Sequence, residues 1–501
     1  MYALGIDVGS TNVKVALVDS EGRLRAAASR GLHTNVEGDL ATQDADALLG
    51  AVFGASAQAV AEAEADQVAT IGVCSQYSSI VGVDSACRPV TPLVMYTDRR
   101  GTDHCLAILE RHPEAFETWV ERHGIPPVGA GLSLAHLLAL QLDEPATHEA
   151  THRYLEVMDL VVDALTGRAV ASQATMFASQ LCDNRRIGVT EYDGDLLGMS
   201  GVDPSRLPEL LPAGEPVAHL AADAADRLGL GSGVVVQAPM NDSHAAAFAT
   251  GAFRSGATGL MVGTTAVLLD VLEHPATDLE REVLTMPSPL PGHYLVMAEN
   301  GLAGRPVAHA LEEILASPGV DTDAFGELPA AFAASNPGAG GAMFLPWLAG
   351  SLSPSSDPGM RGGYIGVGLG TTRADILRAT VEGTARNLRW LLPAVAELTG
   401  RPTEELTFVG GAARSREWAQ TLADVLGVPV RVPAEPDTAV ARAVAMVALA
   451  RLRGEDPGDV SPVAARSFDP DPSATRVHDR MQGAFEEAFS ALQPISRRLN
   501  Q

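Results

Sequence analysis

Apolar residues alternate into a tight turn and out again in Gly5-Ile6-Asp7-Val8-Gly9-Ser10-Thr11-Asn12-Val13, near the start of the chain. That pattern predicts a β-hairpin. It returns about half a chain length later as Gly259-Leu260-Met261-Val262-Gly263-Thr264-Thr265-Ala266-Val267, without a gap. Residue types differ at only two places, where Asp7 becomes Met261 and Asn12 becomes Ala266. The spacing is too long for a solenoid repeat and suits a duplicated domain. After the first hairpin come a further strand, an Ala-rich helix from about Asp44 to Ala65, and a strand at Val68–Val73. Residues 100–225 are helix-rich and broken by Pro and Gly. Val234–Ala238 reads as a buried strand, followed by Asn241-Asp242-Ser243-His244 and an apolar helix. The second half repeats the order: a hairpin, helices from Pro306 and Arg373, a strand at Leu406–Val409, Gly410-Gly411 and a helix. Strands followed by helices, twice over, predict two α/β lobes, 1–248 and 249–501, with a boundary near 247–256 and a hinge rather than a linker.

Length and composition sharpen this picture. A chain of 501 residues is long enough for two domains, each with its own core. Cys74, Cys87, Cys105 and Cys182 have neither CxxC pairing nor metal-like spacing, and read as ordinary thiols. With no signal-like start and no membrane-length apolar run, a cytoplasmic protein is expected. A formal charge of −27 disfavours nucleic acid and anionic membranes as partners. It also works against a nucleotide, although screening beyond about 8 Å leaves local groups to decide.

One of those local groups stands out. Lys14 is the only lysine, in a chain whose other basic positions, histidines aside, are all Arg. Lys supplies a compact, flexible point charge that Arg does not. Beside it, Gly9, Ser10 and Thr11 offer a turn with free N–H groups and hydroxyls, the chemistry that holds a phosphate. With Gly263, Thr264 and Thr265 in the second half, two such turns point to a polyphosphate lying between the lobes. Thr407-Phe408-Val409-Gly410-Gly411-Ala412-Ala413-Arg414-Ser415 is a strand, a glycine pair and a helix start, where a flat ring or ribose approaches the backbone and Ser415 caps the helix. Asp242, between a strand and a helix, is either a helix cap or a base for a substrate hydroxyl. His148-Glu149-Ala150-Thr151-His152 matches a zinc-protease pattern but has no third ligand at a usual spacing. Gly366-Val367-Gly368-Leu369-Gly370 lacks the spacing and acid of a dinucleotide loop, and no Walker A sequence is present.

Taken together these residues resemble the FGGY carbohydrate kinases of the actin/hexokinase superfamily, over roughly residues 1–450. The likeness runs through Asp7–Lys14, Ser75-Gln76-Tyr77-Ser78-Ser79, Tyr96-Thr97-Asp98-Arg99-Arg100, Asp159–Gly167, Asp242, Gly263-Thr264-Thr265, Phe344–Gly350, Glu382-Gly383 and Gly410-Gly411 with Ser415. The resemblance implies two duplicated actin-like (ribonuclease H-like) ATPase lobes with a catalytic cleft between them. It implies ATP and Mg²⁺, with Asp7 holding the metal through water. Ser10, Thr11, Lys14, Thr264 and Thr265 would meet phosphates, and Gly9, Gly263, Gly304, Gly410, Gly411 and Ser415 would shape the nucleotide site. Asp242 would be the base, and Gln76, Tyr77, Ser78, Asp98 and Arg100 would line the sugar site. The expected substrate is a sugar or polyol, first a ketopentose such as xylulose; a tetritol, another small polyol or a sugar acid are alternatives, as is a degenerate ATP-gated binding protein. A homodimer is compatible with this reading.

The chain also departs from the family. Tyr77-Ser78-Ser79 replaces the Met-His-Gly of xylulokinases and the Arg-Glu-Thr of glycerol kinases, and Tyr96 stands for the usual Trp. Ala308 replaces a Gln near the nucleotide, and Arg442-Ala443 replaces a Gly-Ala pair. The kinase core is kept while the substrate pocket is altered.

Overall fold

A computed structural model describes residues 1–63, 67–129, 131–254, 257–315, 325–462 and 464–500. The first hairpin forms as expected, with Tyr2–Val8 antiparallel to Asn12–Asp19. It belongs to a seven-stranded sheet whose path runs Pro216–His219, Val235–Gln237, Val68–Ser75, Tyr2–Val8, Asn12–Asp19, Leu24–Gly31. The second hairpin, Thr258–Val262 and Thr265–Leu272, lies in an eight-stranded sheet with Tyr294–Leu302 on one side and Leu406–Val409, Val430–Pro433 and Ala464–Phe468 on the other. Both sheets share one pairing pattern. The hairpin is antiparallel, its first strand pairs in parallel with a second strand, that strand pairs in parallel with a third, and an antiparallel strand closes that side. The closing strand precedes its neighbour in the chain in the first lobe and follows it in the second.

The ungapped correspondence between the hairpins breaks at the turns. Val8 pairs with Val13, but Val262 pairs with Ala266, so the second turn is one residue tighter. Asn12 is exposed, whereas the small apolar Ala266 is buried and serves as the first paired residue. Met261, which replaces Asp7, packs against the apolar core between the lobes.

The Ala-rich helix runs Ala45–Glu62, capped by Asp44 accepting from the Ala47 N–H, so the expected end at Ala65 lies outside the described residues. The helix Asp242–Thr250 ends at Gly251 with φ 74°, and positions 255 and 256 of the expected boundary also lie outside the described residues. A five-stranded sheet of Asn35–Glu37, Leu40–Gln43, Leu93–Val94, Ile80–Val83 and Arg153–Glu156 also forms, and only its last strand falls in the stretch 100–225 read as helix-rich. No helix among the described residues is long and apolar enough to cross a membrane.

The lobes meet along the helix Ala439–Arg453, which comes from the second lobe and packs against the strands Tyr2–Val8 and Val68–Ser75 of the first. Gly5 and Gly72 are register partners on those strands, and they let the helix approach. A Cβ on Gly5 would lie 1.9 Å from the Ala441 carbonyl oxygen, and one on Gly72 2.6 Å from that of Val444. Arg442 Nε, Arg451 Nη1 and Arg453 Nη2 donate to the carbonyls of Gly22, Ala238 and Ser20 across the interface. The departure at Arg442 thus ties the lobes together.

Candidate active site

In open α/β sheets ligands collect at the carboxyl ends of the parallel strands. Asp7 and Cys74 are register partners near that end of the first lobe, and Met240 pairs with Cys74 in turn. Asp242 follows directly, as the first residue of its helix. Asn241 holds the cap position without a side-chain cap bond, so Asp242 is not the cap. The two carboxyls therefore lie close enough to act on each other. Burial, and then the nearby Asp7, push Asp242 up to about 7. Burial also raises Asp7, against the opposing pull of Lys14 and the Cys74 thiol, whose sulfur lies 3.6 Å from Oδ1.

The first turn closes through the Gly9 N–H donating to the Asn12 carbonyl. Gln43 Nε2 holds the Ser10 carbonyl at 2.7 Å, and Thr11 is exposed. Lys14 Nζ crosses between the lobes to donate to the Asp437 carbonyl at 3.2 Å. In the second turn Gly263 and Thr264 are exposed and Thr265 half-buried. Gly304 donates its N–H to the Gly263 carbonyl, and a Cβ there would lie 2.2 Å from that oxygen. Gly410, at φ 98°, approaches the Val262 carbonyl just as closely, with 2.4 Å to its virtual Cβ. The Gly410 N–H donates to the Pro436 carbonyl, and Gly411 lies beside Asp437. The second turn, Gly304 and the glycine pair thus form one cradle, and Lys14 reaches its far wall. Ser415 caps the helix Arg416–Leu426 by accepting from the Trp418 N–H.

On the substrate side, Gln76 is buried with Oε1 lacking a protein partner. Tyr77 donates its hydroxyl to the Met297 sulfur at 3.3 Å, across the lobes. Burial raises it well above the usual phenol range, and the charges of Asp242 and Glu299 push the same way. Ser78 adopts φ 59°, in the left-handed region. Glu156, buried and pushed up to about 8 by burial, accepts from the Ser78 and Ser79 N–H groups and from the Ser133 hydroxyl. That carboxyl fixes the Gln76–Ser79 segment, and sequence reasoning missed it. Asp98 is buried and accepts from the Ala41 N–H and from Arg100, which holds it below the usual carboxylate range despite burial. Arg100 also pairs with Glu144. Asp98 and Arg100 thus lock each other in place.

Two further residues reach the cleft. The Tyr96 side chain hydrogen-bonds to Ser10 and senses Glu299 and Asp242. Glu299 sits on the strand Tyr294–Leu302, raised by burial and then by Glu282, with a hydrogen bond from Thr265. A lone acid in an apolar strand was its only signal in the sequence. His148 of the zinc-like stretch contacts the Tyr154 hydroxyl, and the helix bearing it ends at Ala150, before His152. Among the described residues, no group of three or more His, Cys, Asp or Glu could hold a metal.

Comparison with known proteins gives the family. The FGGY family of carbohydrate kinases matches through its N-terminal domain at residues 2–249 and its C-terminal domain at 259–452. The chain is 22% identical to the gluconokinase of Bacillus subtilis over 451 residues, 86% of this chain and 84% of that one. It is 25% identical to a xylulose kinase of Staphylococcus epidermidis, covering 85% and 84% of the two. The fold matches the crystal structure of a "xyloylose kinase" from Brucella ovis with a TM-score of 0.86, at 23% identity, over 99% of this chain and 100% of that chain. With both halves of the chain matched, the chain belongs to the FGGY family and is a carbohydrate kinase.

Proposed function

We propose that the protein transfers the γ-phosphoryl group of ATP to a hydroxyl of a small sugar or polyol, a ketopentose such as xylulose first among them. The observation that carries this reading is Asp242, first residue of its helix, buried near Asp7 and raised to about 7. A base with that pKa takes a hydroxyl proton at neutral pH. Phosphoryl transfer otherwise needs positioning and charge neutralisation. Thr11, Ser10 and Lys14 serve the phosphates from one lobe and Thr264 and Thr265 from the other. Gly304, Gly410 and Gly411 admit the nucleoside, and Gln76, Tyr77 and Ser78 line the sugar pocket, with Asp98 and Arg100 bracing it.

Asp7 fits Mg²⁺: burial makes its charged carboxyl costly, a cost that a cation beside it would offset, and Mg²⁺ is commonly held by one or two carboxylates with its remaining positions on water and phosphate. The ion would be held by Asp7 and would neutralise phosphate charge. A screen of ketoses, polyols and sugar acids for substrate-dependent ADP release tests the reading. ATP binding with no substrate-dependent rate for any compound would favour a degenerate, ATP-gated binding protein instead.

A further inference from the structure

Side chains alternate along a strand, so Leu295, Met297 and Glu299 share one face of Tyr294–Leu302. Leu295 and Met297 are buried in the apolar core between the lobes. Met297 receives the Tyr77 hydroxyl there. Glu299 is the next residue on that face, where the core gives way to the cleft. It acts electrostatically on Asp242, Tyr77 and Tyr96, and accepts a hydrogen bond from Thr265. Carboxyls from both lobes thus converge on the substrate side, while its nearby cations are engaged. Arg100 pairs with Asp98 and Glu144, and Lys14 is turned to the Asp437 carbonyl.

Resting on the kinase reading above, we infer that Glu299 is a specificity-determining residue that makes the pocket accept uncharged polyhydroxy compounds and reject sugar acids. An alcohol donates to a carboxylate in a strong, charge-assisted hydrogen bond, and the hydroxyls of Tyr77 and Tyr96 supply complementary partners. A sugar acid would bring a further anion against Glu299 and Asp242 in a site partly withdrawn from water, where like charges repel more strongly than in solvent. Glu299 comes from the opposite lobe to Asp242, so the discrimination grows as the cleft closes.

Calorimetric binding and ADP release are measured with xylulose, glycerol and gluconate on the wild type, Glu299→Gln and Glu299→Asp. The wild type should bind an uncharged compound at least about tenfold more tightly than gluconate. Glu299→Gln should narrow that ratio by roughly ten- to a hundredfold, the worth of one charged interaction. Glu299→Asp, which keeps the charge, should retain the rejection. Tighter binding of gluconate by the wild type overturns the inference, as does an unchanged ratio in Glu299→Gln or binding of neither class. Selective binding without turnover of any compound sinks the kinase reading and leaves the inference standing. Turnover with a preference for gluconate does the reverse.

Discussion

Asp242 meets opposing demands, because the burial that tunes it as a base also penalises its charged form. Asp242→Asn should keep the fold and ATP binding while lowering turnover by roughly 10²–10⁴-fold, the usual worth of a general base. Near-wild-type turnover in that variant would leave Asp242 with a structural role only. The wild-type kcat/KM should fall below about pH 7, where the carboxyl takes up its proton. Stability runs the other way. The native carboxyl keeps its proton up to about 7, whereas the unfolded one loses it near 3.8. Its contribution is therefore intact below the lower value and declines as pH rises through that window. Asp242→Asn should then be more stable than wild type at pH 8, by about 1–3 kcal/mol in chemical denaturation, with little gain at pH 4. Lys14 allows a cleaner probe, since amine-selective acylation should label only it and the N-terminal amine. Mg-ATP should protect Lys14 alone. Lys14→Ala should weaken ATP binding by about 1.5–3 kcal/mol, and Lys14→Arg by less. Equal labelling with and without Mg-ATP would make Lys14 a tether to Asp437 and nothing more.

Two glycines of similar appearance in the sequence do opposite things within their elements. Gly5 lies under the helix Ala439–Arg453, and its virtual Cβ meets backbone atoms, Ala441 O at 1.9 Å and Ala445 N at 2.8 Å. No rotamer relieves a backbone clash, so Gly5→Ala should cost about 3 kcal/mol or more, as overpacking does at its severe end. Gly54, on the helix Ala45–Glu62, has nothing within 4 Å of its virtual Cβ. Gly54→Ala should stabilise the protein by about 0.5–1 kcal/mol. Chemical denaturation of both variants checks the pair; equal effects would mean that the helix does not seat on Gly5.

The halves of the site sit on different lobes, so the whole molecule should respond to both ligands together. X-ray scattering should give a smaller radius of gyration with a non-hydrolysable ATP analogue plus the substrate than with either alone, as the lobes close and exclude water. An unchanged radius at saturation would indicate a rigid cleft. The lobes are joined at the helix Ala439–Arg453, where apolar residues such as Val440, Val444 and Val447 enter the shared core and the arginines grip carbonyls of the first lobe.

Features whose requirements are local were legible in the sequence. A hairpin needs alternation and a turn residue, so both hairpins could be read directly, together with the strand before Gly410-Gly411 and the strand before Asp242. The duplicated pattern, with the family resemblance, predicted two similar α/β lobes for the same reason. What depends on distant segments was not legible. The second turn is one residue tighter, with Ala266 buried as its first paired residue, and Met261, in place of Asp7, packs on the core between the lobes. Asp98 and Arg100 are turned toward each other, Glu156 pins the Ser78–Ser79 backbone, and Glu299 reaches the cleft from the other lobe. Each of these depends on which face of an element meets which neighbour, and a one-dimensional pattern of polar and apolar residues does not specify that across two packed lobes.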